Sequence, residues 1–296
     1  MSFYFARFIF GDTVLKIKAL LFYGLLLSAV ITECLASSLA EQWSKISLPT
    51  YSVSAQSIGT YNAGCISGAV SVPINGTGYQ VMRLSRNRAY GHPDLKHFIE
   101  SLGQTAAKQQ LGSLLIGDLG QPRGGPTLSG HRSHQTGLDV DIWFLLSTQA
   151  ASHTLAFKER ETWNAPSVLV GQSDTIDYRQ WSKSNEKVLE VAAQAAEVDR
   201  IFVNPSIKRE LCLTHARHDW LRKIRPWWKH DDHFHVRLKC PKNNHDCQGQ
   251  EPLPQGTGCD AELAWWFSEE AKHPVPSKIP PKPLVLPVLC DKLLKQ

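Results

Sequence analysis

His131-Arg132-Ser133-His134-Gln135-Thr136-Gly137-Leu138-Asp139-Val140-Asp141-Ile142-Trp143-Phe144 is the stretch from which the rest of the chain can be read. Its second half alternates. Val140, Ile142 and Phe144 suit a core, while Asp139, Asp141 and Trp143 leave the other face of a strand. A short turn at Gly137 separates that strand from His134, so His134 and Asp141 can fold back toward one point. A second stretch, His233-Phe234-His235-Val236-Arg237-Leu238, has the same design. Phe234, Val236 and Leu238 share one face; His233, His235 and Arg237 share the other. One strand offers a His and a carboxylate, the other two His. Together they supply the ligands of a catalytic zinc site, with a spare imidazole beside it.

The expected zinc ligands are His134, Asp141 and His235, which leaves a fourth position for water. His-x-His alone is weak evidence, and so is His-x6-Asp. Both together, each inside an alternating core pattern, favour a metal site over surface histidines beside a solvated carboxylate. A catalytic zinc also needs a group to handle the proton of its water. His233 shares a face with His235 and is the natural base. His230 either steadies an oxyanion or orients His233, against the plainer reading of a loop histidine capping Trp227-Trp228. His131 is assigned as an auxiliary metal ligand, with a supporting donor role as the alternative. Asp139, on the face of Asp141, suits a partner that holds an imidazole tautomer. Trp and Tyr near the site are read as core before substrate platform.

Composition narrows the classes. The chain has 296 residues, 42% hydrophobic and 20% charged, with a formal net charge of +5, which fits one large or two small globular domains and not disorder. No basic run interleaves with aromatics, so a nucleic-acid partner is not expected. At the N-terminus, Lys16 and Lys18 precede an apolar run from Ala19 to Ile31, followed by small-residue sites ending at Ala36 or Ala40. This reads as an export signal over residues 1–40. The run falls short of the roughly 20 residues of a membrane span, so the mature form has none; a retained anchor is the alternative. The apolar segment before Lys16 is long for a signal, as if the true start lay downstream. Glu33 before Cys34 speaks against lipidation. Without Cys34 six cysteines remain, an even number that points to disulfides, with fifteen pairings open. Cys240 and Cys247 are close enough to close a small loop, and Cys65 and Cys290 could tie the two ends of the mature chain.

Along the chain, residues 41–82 read as wrapping loops and short strands. His92-Pro93-Asp94 opens a helix with Leu95, Phe98, Ile99, Leu102 and Ala106 at helical spacing. Leu114 to Leu119 is a buried strand, and the Gly- and Pro-broken run 121–130 delivers the chain to His131. Residues 145–182 are expected to be loops, with a flap over a cleft as one use for them. A helix over Glu186 to Val198, a short strand at Ile201 to Val203 and a short helix over Ile207 to Leu213 follow. A short aromatic helix lies near Glu262 to Phe267. Pro274 to Pro287 must be extended, a strap on the domain. Arg83, Arg86 and Arg88 could bind carboxylates, or form a solvated basic face.

Four stretches carry a family resemblance: 54–59 (Ser-Ala-Gln-Ser-Ile-Gly), 91–95 (Gly-His-Pro-Asp-Leu), 133–142 (Ser-His-Gln-Thr-Gly-Leu-Asp-Val-Asp-Ile) and 235–238 (His-Val-Arg-Leu). They resemble the penicillin-insensitive murein endopeptidases, over about Trp43 to Cys290. That family sits with lysostaphin-like, D-Ala-D-Ala carboxypeptidase and hedgehog-type domains. The resemblance implies an α+β fold in a single domain over 41–296, with a small central antiparallel sheet flanked by helices and long disulfide-tied loops. It implies a periplasmic zinc peptidase acting on D-alanyl–diaminopimelyl cross-links of peptidoglycan, with a homo-oligomer left open. It places zinc on His134, Asp141 and His235 with His131 near it, makes His233 the base and His230 its helper, and pairs Cys65–Cys290, Cys212–Cys259 and Cys240–Cys247. One departure stands out: the stretch Gln172 to Asp177 lacks the His of an accessory Asp-x-x-His metal pair, so no second metal is assigned. The competing readings are a D,D-carboxypeptidase on single stems and a non-catalytic zinc-containing binding module.

Overall fold

The computed structural model describes residues 38–128, 132–276 and 283–296. Residues 1–37 (most of the expected export signal), His131 and the middle of the Pro-rich run lie outside the described residues. Residues 40–296 make one compact α+β unit. β1 (Gln56–Thr60) and β2 (Ala63–Ser67) form a hairpin, and β3 (Val70–Ser71) pairs with β6 (Tyr90–Gly91). The main sheet holds β4 (Asn75–Gly76), β5 (Tyr79–Val81), β7 (Leu114–Ile116), β8 (Asp139–Trp143), β9 (Val198–Val203), β10 (Ile224–Pro226) and β11 (His233–Leu238). Its order is β10-β9-β11-β8-β7-β5-β4. The centre, β7-β8-β11-β9, is antiparallel as expected; parallel pairs flank it at β5–β7 and β9–β10.

The helices are α1 (Leu39–Ser44), α2 (Pro93–Lys108), α3 (Thr148–Ser152), α4 (Phe157–Thr162), α5 (Lys183–Gln194), α6 (Pro205–His215), α7 (Ala261–Trp265), α8 (Glu269–Lys272) and α9 (Val288–Lys295). Helix α2 starts where Pro93 demands, with His92 Nδ1 accepting from the Asp94 N–H at 3.1 Å. Leu95, Phe98, Ile99, Leu102 and Ala106 bury the α2 stripe, and Val188, Leu189 and Ala192 bury that of α5. They join Val140, Ile142, Phe144, Phe234, Val236 and Leu238 in one core. Each of these strand side chains, once fully buried, contributes about 1.5–3 kcal/mol. The alternation read from the two strands therefore sorts their faces correctly: the apolar one goes under the helices, the polar one to the opposite side.

Two details differ from the expectations, and one helix was not anticipated. Residues 145–182 carry the short helices α3 and α4, not loops alone. Their anchor is Arg160, 2% exposed, whose guanidinium donates to the carbonyls of Ile74 and Val81 and to the Gln80 side chain. Helix α5 stops at Gln194 because Val198 already belongs to β9. Beyond Pro287 the chain turns into helix α9.

The six cysteines pair as Cys65–Cys290, Cys212–Cys259 and Cys240–Cys247. Near the second bridge, Lys208 of α6 is fully buried and donates to the carbonyls of Leu221 at 2.7 Å and Thr257 at 2.6 Å. Burial, with Arg225 nearby, lowers its pKa to about 7, against the pull of Glu262 and Asp260. A folded-state pKa below the unfolded value of roughly 10.4 means the folded protein binds fewer protons between those values. Stability should therefore rise with pH from about 7 toward 10, by up to about 1.4 kcal/mol per unit from this group. Lys208→Met should flatten that slope. Thermal melts of both proteins that run parallel from pH 7 to 9.5 would refute this.

Candidate active site

Strand register assembles the polar face. β8 and β11 run antiparallel with His235 opposite Asp141 and Arg237 opposite Asp139. His235 Nδ1 lies 2.9 Å from Asp141 Oδ1, and its Nε2 lies 2.7 Å from Asp139 Oδ1. His134 Nε2 is 3.4 Å and His233 Nε2 3.7 Å from that same Asp141 Oδ1. Three imidazoles thus converge on one carboxylate oxygen.

His134 reaches this point from the loop before β8, and the loop is strained to deliver it. His134 has φ 66°, a left-handed conformation that costs a non-Gly residue of order 1–3 kcal/mol. Its neighbour Gln135 over-determines the position: the side chain accepts from the Gly64 N–H at 3.2 Å and donates to the Asn62 carbonyl at 3.0 Å. Gly124 packs so closely that a Cβ there would meet the Gln135 carbonyl oxygen at 1.9 Å, so only glycine fits. His230 is delivered by a similar device. Lys229 and His230 have φ 61° and 49°, and Asn204 holds them by bonds to both of their carbonyls.

Burial would raise the Asp141 carboxyl, but the facing His134 and His233 imidazoles outweigh it and hold the group well below the usual carboxylate range. For His233, burial is outweighed by Asp141 and Asp232, and the pKa is raised. His233 Nδ1 donates to Asp232 Oδ1 at 2.5 Å, which leaves Nε2 facing Asp141. His230 goes the other way. Burial, opposed by a 3.0 Å bond from Nδ1 to the Trp228 carbonyl and aided by nearby His233, lowers it to about 4. It is neutral at neutral pH. Its ring lies 4.9 Å from that of His233.

His134, Asp141 and His235 are each at most 5% exposed, and their ligand atoms lie within 4.8 Å of one another. Two neutral-capable imidazoles and one carboxylate held anionic, in a buried cluster, fit a zinc ion well. Among the described residues this is the one such group. Asp174 and Asp177, in the stretch without the accessory His, instead pair with Lys272 and Arg179. Arg86 and Arg88 pair with Asp118, and Arg83 donates to the carbonyls of Arg160, Glu161 and Trp163. The sequence reading missed Asp232 and Arg237. Arg237 carried a signal, since it shares the His235 face at a two-residue step; Asp232 had only its place beside His233.

The family model described as penicillin-insensitive murein endopeptidase matches residues 57–295. This chain belongs to that family. It is 43% identical to the penicillin-insensitive murein endopeptidase of Klebsiella pneumoniae strain 342, over 87% of this chain and 92% of the relative. The protein of the same description from Yersinia pestis bv. Antiqua is 44% identical over 86% and 90%. That of Haemophilus influenzae strain Rd is 42% identical over 85% and 87%. The family's members are peptidases, and the matched span holds the whole described cluster. No helix among the described residues is long and apolar enough to cross a membrane.

Proposed function

We propose that this protein is a periplasmic zinc endopeptidase, exported by a signal over residues 1–40, that hydrolyses D-alanyl–meso-diaminopimelyl cross-links of peptidoglycan and is indifferent to penicillin. The observation that carries the reading is the buried His134–Asp141–His235 cluster with two further histidines beside it, in a chain of this family. Three disulfides agree with an oxidising compartment.

His134, Asp141 and His235 would hold the zinc, with His131 as auxiliary ligand. A zinc ion held there would supply Lewis-acid chemistry that makes water easier to deprotonate near neutral pH. His233 accepts the proton of the attacking water at Nε2, because Asp232 fixes its other nitrogen as the donor. The same Nε2 returns the proton to the leaving amine. His230, neutral and with its Nδ1–H committed to Trp228, helps orient His233. No serine is acylated, so a β-lactam that acts by acylating serine has no target.

The test uses purified cross-linked muropeptide dimers, with products followed by mass. Conversion of dimers to monomers, lost with a chelator and unchanged by penicillin, is the expected result. Release of terminal D-Ala alone would mean a carboxypeptidase. Intact dimers with zinc bound would mean a non-catalytic module.

A further inference from the structure

A second row of polar groups lies directly behind the ligand cluster. Asp139 is fully buried, and its Oδ1 receives His235 Nε2 at 2.7 Å and Arg237 Nε at 2.6 Å. Arg237 is itself only 6% exposed. Its guanidinium sits 3.8 Å from the centre of the Tyr61 ring and 5.2 Å from that of Phe202, and it donates to Gln250 Oε1. Gln250 follows the loop closed by Cys240–Cys247. That loop is sewn to β1 by Gly59 N–H to Asp246 and Gln248 N–H to Gly59, at 2.8 and 2.9 Å. An arginine held against two rings and a tethered glutamine has little freedom to move.

The consequence falls on His235. Its two nitrogens face two carboxylates, Asp139 and Asp141, so distance alone does not choose the ligating nitrogen. The second contact on Asp139 does. Arg237 Nε–H donates to Asp139 Oδ1 at 2.6 Å, so that oxygen is an acceptor. An acceptor oxygen at 2.7 Å tolerates an N–H and repels a lone pair. Nε2 must then be the donor. Arg237 Nη2, 3.5 Å from Nε2, is too far to compete for it.

We propose that Asp139 and Arg237 are positioning residues that commit His235 Nε2–H to Asp139, and so make Nδ1, on the Asp141 side, the metal-ligating atom. This rests on the reading that the cluster holds zinc. Outer partners of this kind are typically worth 10–100-fold in metal affinity.

The experiment measures the zinc dissociation constant of the purified protein by competition with a chromophoric chelator. It compares wild type, Asp139→Asn, Arg237→Met and Arg237→Lys, with thermal melts alongside and ring 15N shifts of zinc-loaded wild type. The expected result is 10–100-fold weaker zinc binding in D139N and R237M. R237K, which keeps the cation, should recover part of the loss, and the wild-type shifts should show zinc on His235 Nδ1. A folded D139N that binds zinc within twofold of wild type overturns the proposal, as does zinc on Nε2. If D139N does not fold, equal affinities in wild type, R237M and R237K overturn it. A folded wild type that binds no zinc defeats the function reading as well; unchanged variants beside a zinc-binding wild type defeat this inference alone.

Discussion

His233→Ala should lower hydrolysis of muropeptide dimers by about 10²–10⁴-fold while the protein keeps its zinc. The expectation follows from what His233 touches. Its Nδ1 is tied to Asp232 and its Nε2 looks at Asp141 from 3.7 Å, the longest of the three imidazole approaches to that oxygen. His134 and His235 approach more closely and are nearly fully buried, whereas His233 is partly exposed. A group beside the ligands, with one nitrogen fixed and the other available, suits proton transfer better than ligation. Removing it takes away a proton carrier without opening the His134–Asp141–His235 set. Zinc content by atomic absorption and turnover on dimers, measured on one preparation, separate the two roles. Loss of zinc together with activity would make His233 a ligand; full turnover with zinc retained would strip it of any role in the reaction.

The second large effect concerns the fold. Cys65–Cys290 joins residues 225 positions apart, β2 to α9, and both sulfurs are fully buried. In the chain-entropy picture a loop of that length restrains the unfolded state by about 5 kcal/mol, and native bridges of secreted domains usually contribute about 2–5 kcal/mol. The double variant Cys65→Ala/Cys290→Ala should therefore melt about 5–15 °C lower. Arg123 still donates to the Leu293 carbonyl at 2.6 Å, so α9 keeps one tether, which places the expectation toward the lower end. The loss should also reach the site, because Gly64, next to Cys65, donates to the Gln135 side chain that steadies His134. A melting temperature within 1 °C of wild type would show that the bridge does not restrain the unfolded chain as argued.

Much of this molecule can be read from local pattern. Alternation at residues 139–144 and 233–238 assigned Val140, Ile142, Phe234 and Val236 to the core and put Asp141, His233 and His235 on the opposite side. That worked because side chains on a strand must alternate at a period of two, whatever the strand pairs with. Pro93 and the apolar spacing after it located α2 for an equally local reason. The family motifs at 133–142 and 235–238 pointed to the same cluster.

Other features were invisible until distant segments met. Nothing in either strand alone says that His235 lies opposite Asp141, or that Arg237 lies opposite Asp139; a slip of one residue in register would have turned the histidines away. The short helices in 145–182 exist because Arg160 finds carbonyls on β5 and just before β4, contacts 79–86 residues away in sequence. The strained φ of His134 and His230 is sustained by Gln135 and by Asn204, through bonds to other loops and strands. The sequence by itself determined which residue types share a face, since that follows from local backbone geometry. Tertiary structure alone decided which of them touch, which nitrogen of each imidazole is committed, and how far each group titrates from its ordinary value. Those properties depend on neighbours brought in from elsewhere in the chain and on the exclusion of water around them.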